Sequence, residues 1–151
     1  MRRFTMKVPA TSPVALVANT AKTVLYLKAG ANLGVDVDEM AVFFDSTDAT
    51  KGKATIEVIR FTTDCTVTSR TPTSCDAILL GNTSYVTGGS NSSSDGTAGD
   101  IVSLPGIDIT GAIFNVMAVL KEFGVGKGER FGLRVTAPFA CNCWPQFGWQ
   151  E

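Results

Sequence analysis

Four cysteines are the side chains of this 151-residue chain with the clearest capacity for chemistry: Cys65, Cys75, Cys141 and Cys143. Structural zinc sites usually take cysteine pairs separated by two to four residues, because two thiolates must reach one tetrahedral ion from a single turn. The spacings here are C-x₉-C and C-x-C, and the second pair, in a strand, would lie ~6.5–7 Å apart. We therefore expect small buried side chains and no metal; a disulfide between Cys65 and Cys75 is the alternative.

The chain contains no histidine, which removes the usual general base, nucleophile partner and metal ligand. Asp36, Asp38 and Glu39 do not have EF-hand spacing, and Gly124–Glu129 lacks the pattern of a phosphate-binding loop. We expect a protein that is not an enzyme and that holds no cofactor or metal. A pair of carboxylates ~5–10 Å apart for glycosidic cleavage stays open as an alternative, because one sequence cannot place them.

The low share of charged residues indicates a protein that forms an oligomer or is part of a larger assembly. Hydrophobic residues make up 44% and charged residues 18% of the chain, against about 25% charged in an average domain. A net charge of −1 argues against nucleic-acid binding. No segment approaches the ~20 apolar residues of a membrane span. The apolar run Val14–Ala18 is too short for the hydrophobic region of a secretory signal, so we expect synthesis in a host cytoplasm.

Strand patterns begin at residue 14 and recur to the end of the chain. The predicted strands are Lys22–Ala29, Gly34–Asp45, Ala54–Thr63, Thr66–Arg70, Arg130–Ala137 and Ala140–Trp149, with short extended pieces over Ile101–Ala112. The second strand changes phase after Glu39, where a β-bulge would restore inward pointing. About eight strands without a long helix predict an all-β, two-sheet, jelly-roll-like β-sandwich, a single domain over residues 14–151.

Three segments are less regular. Ile113–Glu129 fits a strand buried on both faces, which its β-branched content favours, or an apolar helix of about ten residues. Residues 82–100 are rich in Gly, Ser, Asn and Thr and predict a long flexible surface loop. Residues 1–13, with Arg2, Arg3, Lys7 and two prolines, predict an extended N-terminal arm; a frayed terminus is the plainer alternative.

The closing strand carries aromatic side chains on both faces. Trp144 has the opposite parity to Phe147 and Trp149, so we expect it to face away from the core, where a tryptophan is more often an interface anchor. Tyr85, Trp144 and Trp149 could instead stack on sugar rings, which keeps carbohydrate binding open. We expect an oligomer interface formed by Phe114, Met117, Val119, Phe123, Trp144, Phe147 and Trp149.

Both ends of the chain resemble one family. The segments VALVANTAKTVLYLKAGANLGVDVDEMAVFFD (residues 14–45) and GERFGLRVTAPFACNCWPQFGWQE (residues 128–151) are similar to small virion proteins of tailed bacteriophages. The long Gly/Ser-rich segment and the Cys-x-Cys pair depart from that pattern.

The resemblance implies a capsid decoration, or cement, protein on the outside of a phage head, where it would stabilise the shell. It further implies a β-sandwich that forms a homotrimer and binds the major capsid protein. On this hypothesis the arm contacts the capsid through Arg2, Arg3, Phe4 and Lys7. A tail or head-completion protein of the same kind of virion, and a carbohydrate-binding adhesin, are the alternatives.

Overall fold

A computed structural model describes residues 2–46, 52–75, 83–108, 114–115 and 124–151, which form strands in two antiparallel sheets. Sheet A contains β1 (Arg3–Lys7), β2 (Val14–Leu16), β4 (Val35–Phe44), β7 (Thr73–Ser74), β10 (Phe114–Asn115), β11 (Gly124–Val125) and β13 (Cys141–Gln150). Sheet B contains β3 (Lys22–Lys28), β5 (Ala54–Phe61), β6 (Thr66–Ser69), β8 (Thr87–Ser94), β9 (Ala98–Ile107) and β12 (Arg130–Thr136). The predicted two-sheet sandwich is confirmed.

The strands pair as a nested ribbon. The innermost pair, β5 with β9, lies in sheet B, and the next, β4 with β10 and β11, lies in sheet A. Further out, β3 pairs with β12 in sheet B, and β1 and β2 pair with β13 in sheet A. Because successive pairs alternate between the sheets, the ribbon is wound in the manner of a jelly roll. The strands β6, β7 and β8 come between β5 and β9 and extend both sheets, β8 and β6 beyond β3 and β7 beyond β1.

Strict alternation along the last two strands builds the core. Phe131, Leu133 and Val135 of β12 and Phe147 and Trp149 of β13 are fully buried. Of the residues between them, Arg134 is half-exposed, whereas Gly132 and Gly148 are buried as well. The rings of Phe131 and Phe147 approach to 5.3 Å between centroids across the two sheets. Burying one such side chain stabilises the fold by roughly 1.5–3 kcal/mol.

The expected bulge lies in β4. Gly148 of β13 is opposite Glu39, but the next residue, Trp149, is opposite Val37, so Asp38 is the extra residue. The bulge restores the phase, since Val37 and Met40 both point into the core. The prediction of a bulge near Glu39 is confirmed.

The predicted N-terminal arm is wrong. Residues 3–7 form β1, which lies inside sheet A between β13 and β7. Phe4, Met6 and Val8 are buried, and the Phe4 ring stacks on Trp149 at 6.2 Å. Phe4 is therefore a core residue and is not available for a capsid contact.

The predicted flexible loop over residues 82–100 is also wrong. Residues 87–94 form β8, between β3 and β6, and β9 begins at Ala98; Asn82 lies outside the described residues. The glycines serve close packing, because a Cβ at Gly88 would overlap the carbonyl oxygen of Tyr26, and one at Gly89 would overlap that of Thr68. Ser90 is fully buried and accepts a hydrogen bond from Nε of Arg70 at 2.9 Å.

Candidate docking surface

Most of the predicted oligomer interface is inside the protomer or outside the described residues. Phe147 and Trp149 are fully buried in the core, so they cannot contact a second folded copy. The side chain of Phe114, and Met117, Val119 and Phe123, lie outside the described part of the chain. Trp144 is the member of the set that the structure places at the surface: it is half-buried, between the buried residues Cys143 and Pro145, on the outer face of sheet A as predicted.

Trp144 forms an aromatic pair with a residue that the sequence did not single out. Phe43 of β4 is directly opposite Trp144 in the β4–β13 register and is 36% exposed. Directly opposite residues of an antiparallel pair have Cβ atoms ~4.5–5.5 Å apart. The two rings therefore share one surface on the outer face of sheet A.

Apolar residues continue that surface on its N-terminal side. The carbonyl of Ala10 accepts a hydrogen bond from Nε1 of Trp144 at 3.1 Å, which holds the Pro9–Ala10 segment beside the indole. Ala15 of β2, opposite Asn142 in the register, and Val17, which is 64% exposed, extend the surface toward the end of the sandwich. We call this surface the docking patch; its members are Pro9, Ala10, Ala15, Val17, Phe43 and Trp144.

Polar side chains of the outer face of sheet A, away from the docking patch, bond to one another. Arg3 donates to Glu39 at 2.8 Å and lies 3.4 Å from Asp38. Gln146 donates to Glu39 at 2.6 Å, and Gln150 donates to Asp38 at 2.9 Å. Arg3, predicted to contact a capsid, is thus engaged within the protomer, although exposed ion pairs of this kind contribute only about 0–1 kcal/mol.

The opposite end of the sandwich, where β3 ends and β12 begins, is strongly charged. Asp64 accepts hydrogen bonds there from Arg130, from Lys28 at 3.0 Å and from the hydroxyl of Tyr26 at 2.9 Å. These three donors, Arg130 foremost, hold the pKa of Asp64 well below its usual range. Burial, aided by the bond to Asp64, raises the pKa of Tyr26. The cluster fixes the chain after β5 to the outer face of sheet B.

Replacing Asp64 with Asn should flatten the acid limb of the stability profile. A carboxyl whose folded pKa is depressed stabilises the fold above its unfolded pKa, and this contribution is lost as the pH falls toward the folded pKa. The melting temperature of the wild type should therefore fall more steeply than that of Asp64→Asn between about pH 5 and pH 2. Asp100→Asn, at an exposed position of β9, is the control and should follow the wild type. Parallel curves for all three proteins would refute the role of Asp64.

All four cysteines are free, so the alternative of a Cys65–Cys75 disulfide is wrong. Cys143 is fully buried, and its burial raises the pKa of the thiol. Cys65 is buried and Cys75 is exposed. Within the described ranges, no three His, Cys, Asp or Glu side chains gather as metal ligands would.

The docking patch was partly visible in the sequence. The parity of Trp144 against Phe147 and Trp149 predicted its outward position, and the same parity argument, applied to Phe43 after the bulge, gives the outward direction of Phe43 but not its place opposite Trp144. Pro9 and Ala10 could not be found, because their place beside Trp144 depends on contacts 134 residues apart in the chain.

No helix in the described part of the chain is long and apolar enough to cross a membrane. Comparisons of the chain with models of known protein families, with curated proteins and with solved structures gave no match.

Proposed function

We propose that this protein is a non-enzymatic structural protein of a tailed-bacteriophage virion, a capsid decoration protein that binds the outside of the head as a trimer. The observation that carries the proposal is the docking patch, with Phe43 and Trp144 paired on the outer face of a rigid sheet. The resemblance of residues 14–45 and 128–151 to small virion proteins names the kind of partner.

The docking patch has the composition of an interface core. Aromatic residues, tryptophan above all, dominate the binding energy of protein interfaces when they enter a desolvated pocket. Both rings stand on paired strands, and Trp144 is further held by its bond to Ala10. Little side-chain freedom is lost on binding, and this preorganisation favours affinity.

Charge supports an apolar contact at this face. The groove beside the rings is mostly apolar: its lining residues are Val8, Pro9, Ala10, Phe43, Trp144 and Pro145, together with the polar side chains Lys7 and Gln146. The ion pairs of Arg60 with Glu129, and of Lys28 and Arg130 with Asp64, lie at the other end of the sandwich. Asp45, which accepts from Asn142, and Lys22, which donates to the carbonyl of Ala15, lie beside the docking patch. An apolar depression in the major capsid protein would cover Phe43 and Trp144 and leave these charged side chains at the polar rim of the contact.

Binding to the assembled shell alone is sufficient to stabilise it. A ligand that binds only the assembled state lowers its free energy by RT ln(1 + [L]/Kd), about 4 kcal/mol per site at a thousandfold excess over Kd. The proposed trimer would multiply the contacts at each position. Because Phe147 and Trp149 are internal, its subunits must meet through other surfaces.

The experiment is a decoration assay. Heads that lack the protein are mixed with the wild type or with the double variant Phe43→Ser/Trp144→Ser, and bound protein is measured after sedimentation. Loss of two anchor residues should weaken binding by roughly a thousandfold, given ~2 kcal/mol or more for each. The double variant Leu33→Ser/Tyr85→Ser removes two exposed apolar residues at the other end and should bind as the wild type does.

Three results would overturn the proposal. They are equal binding by the wild type and Phe43→Ser/Trp144→Ser, density at the portal vertex or tail in place of the head surface, and sedimentation of the wild type as a strict monomer. Circular dichroism of both double variants shows whether the sandwich is intact, and single Phe43→Ser serves where the double variant unfolds.

A further inference from the structure

Tyr85 presents an exposed ring on a fixed backbone. The side chain is 60% exposed, the second most exposed of the large hydrophobic residues described. Its backbone N–H donates to both carboxylate oxygens of Glu151, at 3.2 and 3.3 Å. Nε1 of Trp149 and the hydroxyl of Ser84 donate to the same carboxylate, and Ser84 accepts from the N–H of Val86 at 3.0 Å. The segment under the ring is thus tied to β13 and the core.

The ring borders a cavity of about 540 Å³, whose other lining residues, Gly30 to Leu33, follow β3. This volume lies within the range of small-molecule sites, ~300–1,000 Å³. The loop approaches Tyr85 closely, since a Cβ at Gly30 would lie 3.0 Å from the carbonyl oxygen of Tyr85. Glycine at this position lets the wall of the cavity and the ring stand side by side.

The lining is uncharged and rich in unused polar groups. The peptide groups of Ala31, Asn32 and Leu33 form no hydrogen bond with the described residues, and neither does the Asn32 amide or the Tyr85 hydroxyl. An amide offers both donors and an acceptor, and a phenol offers one of each. The cavity therefore combines a flat aromatic face with mixed donors and acceptors.

We propose that this cavity binds one ring of a neutral carbohydrate, stacked on Tyr85. A sugar ring has an apolar face for the aromatic side chain and hydroxyl groups that both donate and accept. The lining offers no charge for an acidic sugar or a phosphate. An apolar peptide side chain would cover the amide of Asn32 and the free peptide groups without pairing them, which is unfavourable.

The inference is independent of shell docking. The cavity lies at the end of the sandwich where β3 ends, whereas the docking patch surrounds Trp144 and Val17 at the other end. A decoration protein bound through its docking patch would present Tyr85 on the opposite side. Either proposal can fail without the other.

Titration of the isotope-labelled full chain, followed by two-dimensional amide NMR, tests the inference. The probes are glucose, galactose, mannose and N-acetylglucosamine, each added to saturation. We expect saturable shifts at the amides of residues 30–33 and 84–86 with at least one of them. Ligand-efficiency limits place the dissociation constant near 1 mM for a single ring. Tyr85→Ala should weaken binding roughly tenfold, while Tyr85→Phe, which keeps the ring, should stay within threefold.

Phe43→Ala is the matched control, because it removes another exposed aromatic ring from the docking patch and should leave sugar binding unchanged. Absence of saturable shifts with all four sugars would overturn the inference. So would unchanged affinity in a folded Tyr85→Ala variant. Shifts produced by N-acetyl-leucine amide and by none of the sugars would assign the cavity to an apolar peptide segment and would equally reject a carbohydrate.

Discussion

Deletion of residues 2–8 is expected to abolish the cooperative unfolding transition of the protein. Phe4, Met6 and Val8 are at most 5% exposed, and their burial is worth about 5–9 kcal/mol together. The total stability of a domain is only ~5–15 kcal/mol. The deletion also leaves the edge of β13 unpaired from Gln146 to Gln150. A mobile arm, by contrast, could be removed at no cost.

The matched control keeps the strand and removes its charges. Arg2, Arg3 and Lys7 are exposed, so the triple change to Ser should lower stability by no more than about 1 kcal/mol. Thermal unfolding followed by circular dichroism compares the deletion, the triple variant and the wild type. A deletion variant that still melts sharply within a few degrees of the wild type would contradict the placement of β1 in the sheet.

The error over β1 has an identifiable cause. Apolar residues alternate with polar ones from Arg3 to Val8, which is the pattern of a half-buried strand. The prediction of an arm rested on the nearby basic residues and prolines and took no account of that alternation. What the sequence could not supply is the partner of β1, since β13 lies at the other end of the chain.

The error over residues 82–100 has a different origin. Composition predicts how much apolar area a segment can bury, and this one buries little. Composition does not predict that a strand lies so close to its neighbours that only glycine fits. Gly88 and Gly89 lie in this way against the carbonyl oxygens of Tyr26 and Thr68. Backbone pairing on both sides of β8, to β3 and β6, replaces the missing apolar contacts.

The strands with long hydrophobic alternation were predicted most accurately. Thus β3, β4, β5, β12 and β13 match the predicted segments to within a few residues, and the bulge at Asp38 follows from the phase of β4 alone. Of the docking patch, parity predicted the outward direction of Trp144. Its neighbour Phe43 depends on the register between β4 and β13, which two strands about 100 residues apart in the chain do not reveal by themselves.

Trp149→Ala is expected to lower the free energy of unfolding by about 3–5 kcal/mol. Trp149 is fully buried, stacks on Phe4 and donates from Nε1 to Glu151 at 3.2 Å. Truncation would leave a cavity in the core beneath a strand that is paired on both sides, with β1 and with β4, so the surroundings cannot easily collapse into it. Urea unfolding of both proteins measures the difference, provided that the m-value is unchanged.

Trp144→Ala makes the comparison decisive, because the same ring is removed from the same strand five residues earlier. Trp144 is half-buried on the outer face, where part of its ring packs against the core, and its replacement loses one hydrogen bond, to the carbonyl of Ala10, so the change should cost about 1–2 kcal/mol. The sequence analysis predicted both tryptophans in the oligomer interface, whereas the structure places Trp149 in the core and Trp144 on the surface. Trp149 should govern stability and leave decoration unaffected in any protein that still folds, whereas Trp144 should govern decoration with little effect on stability. Equal losses of stability in the two variants would mean that the alternation of β13 is not as described.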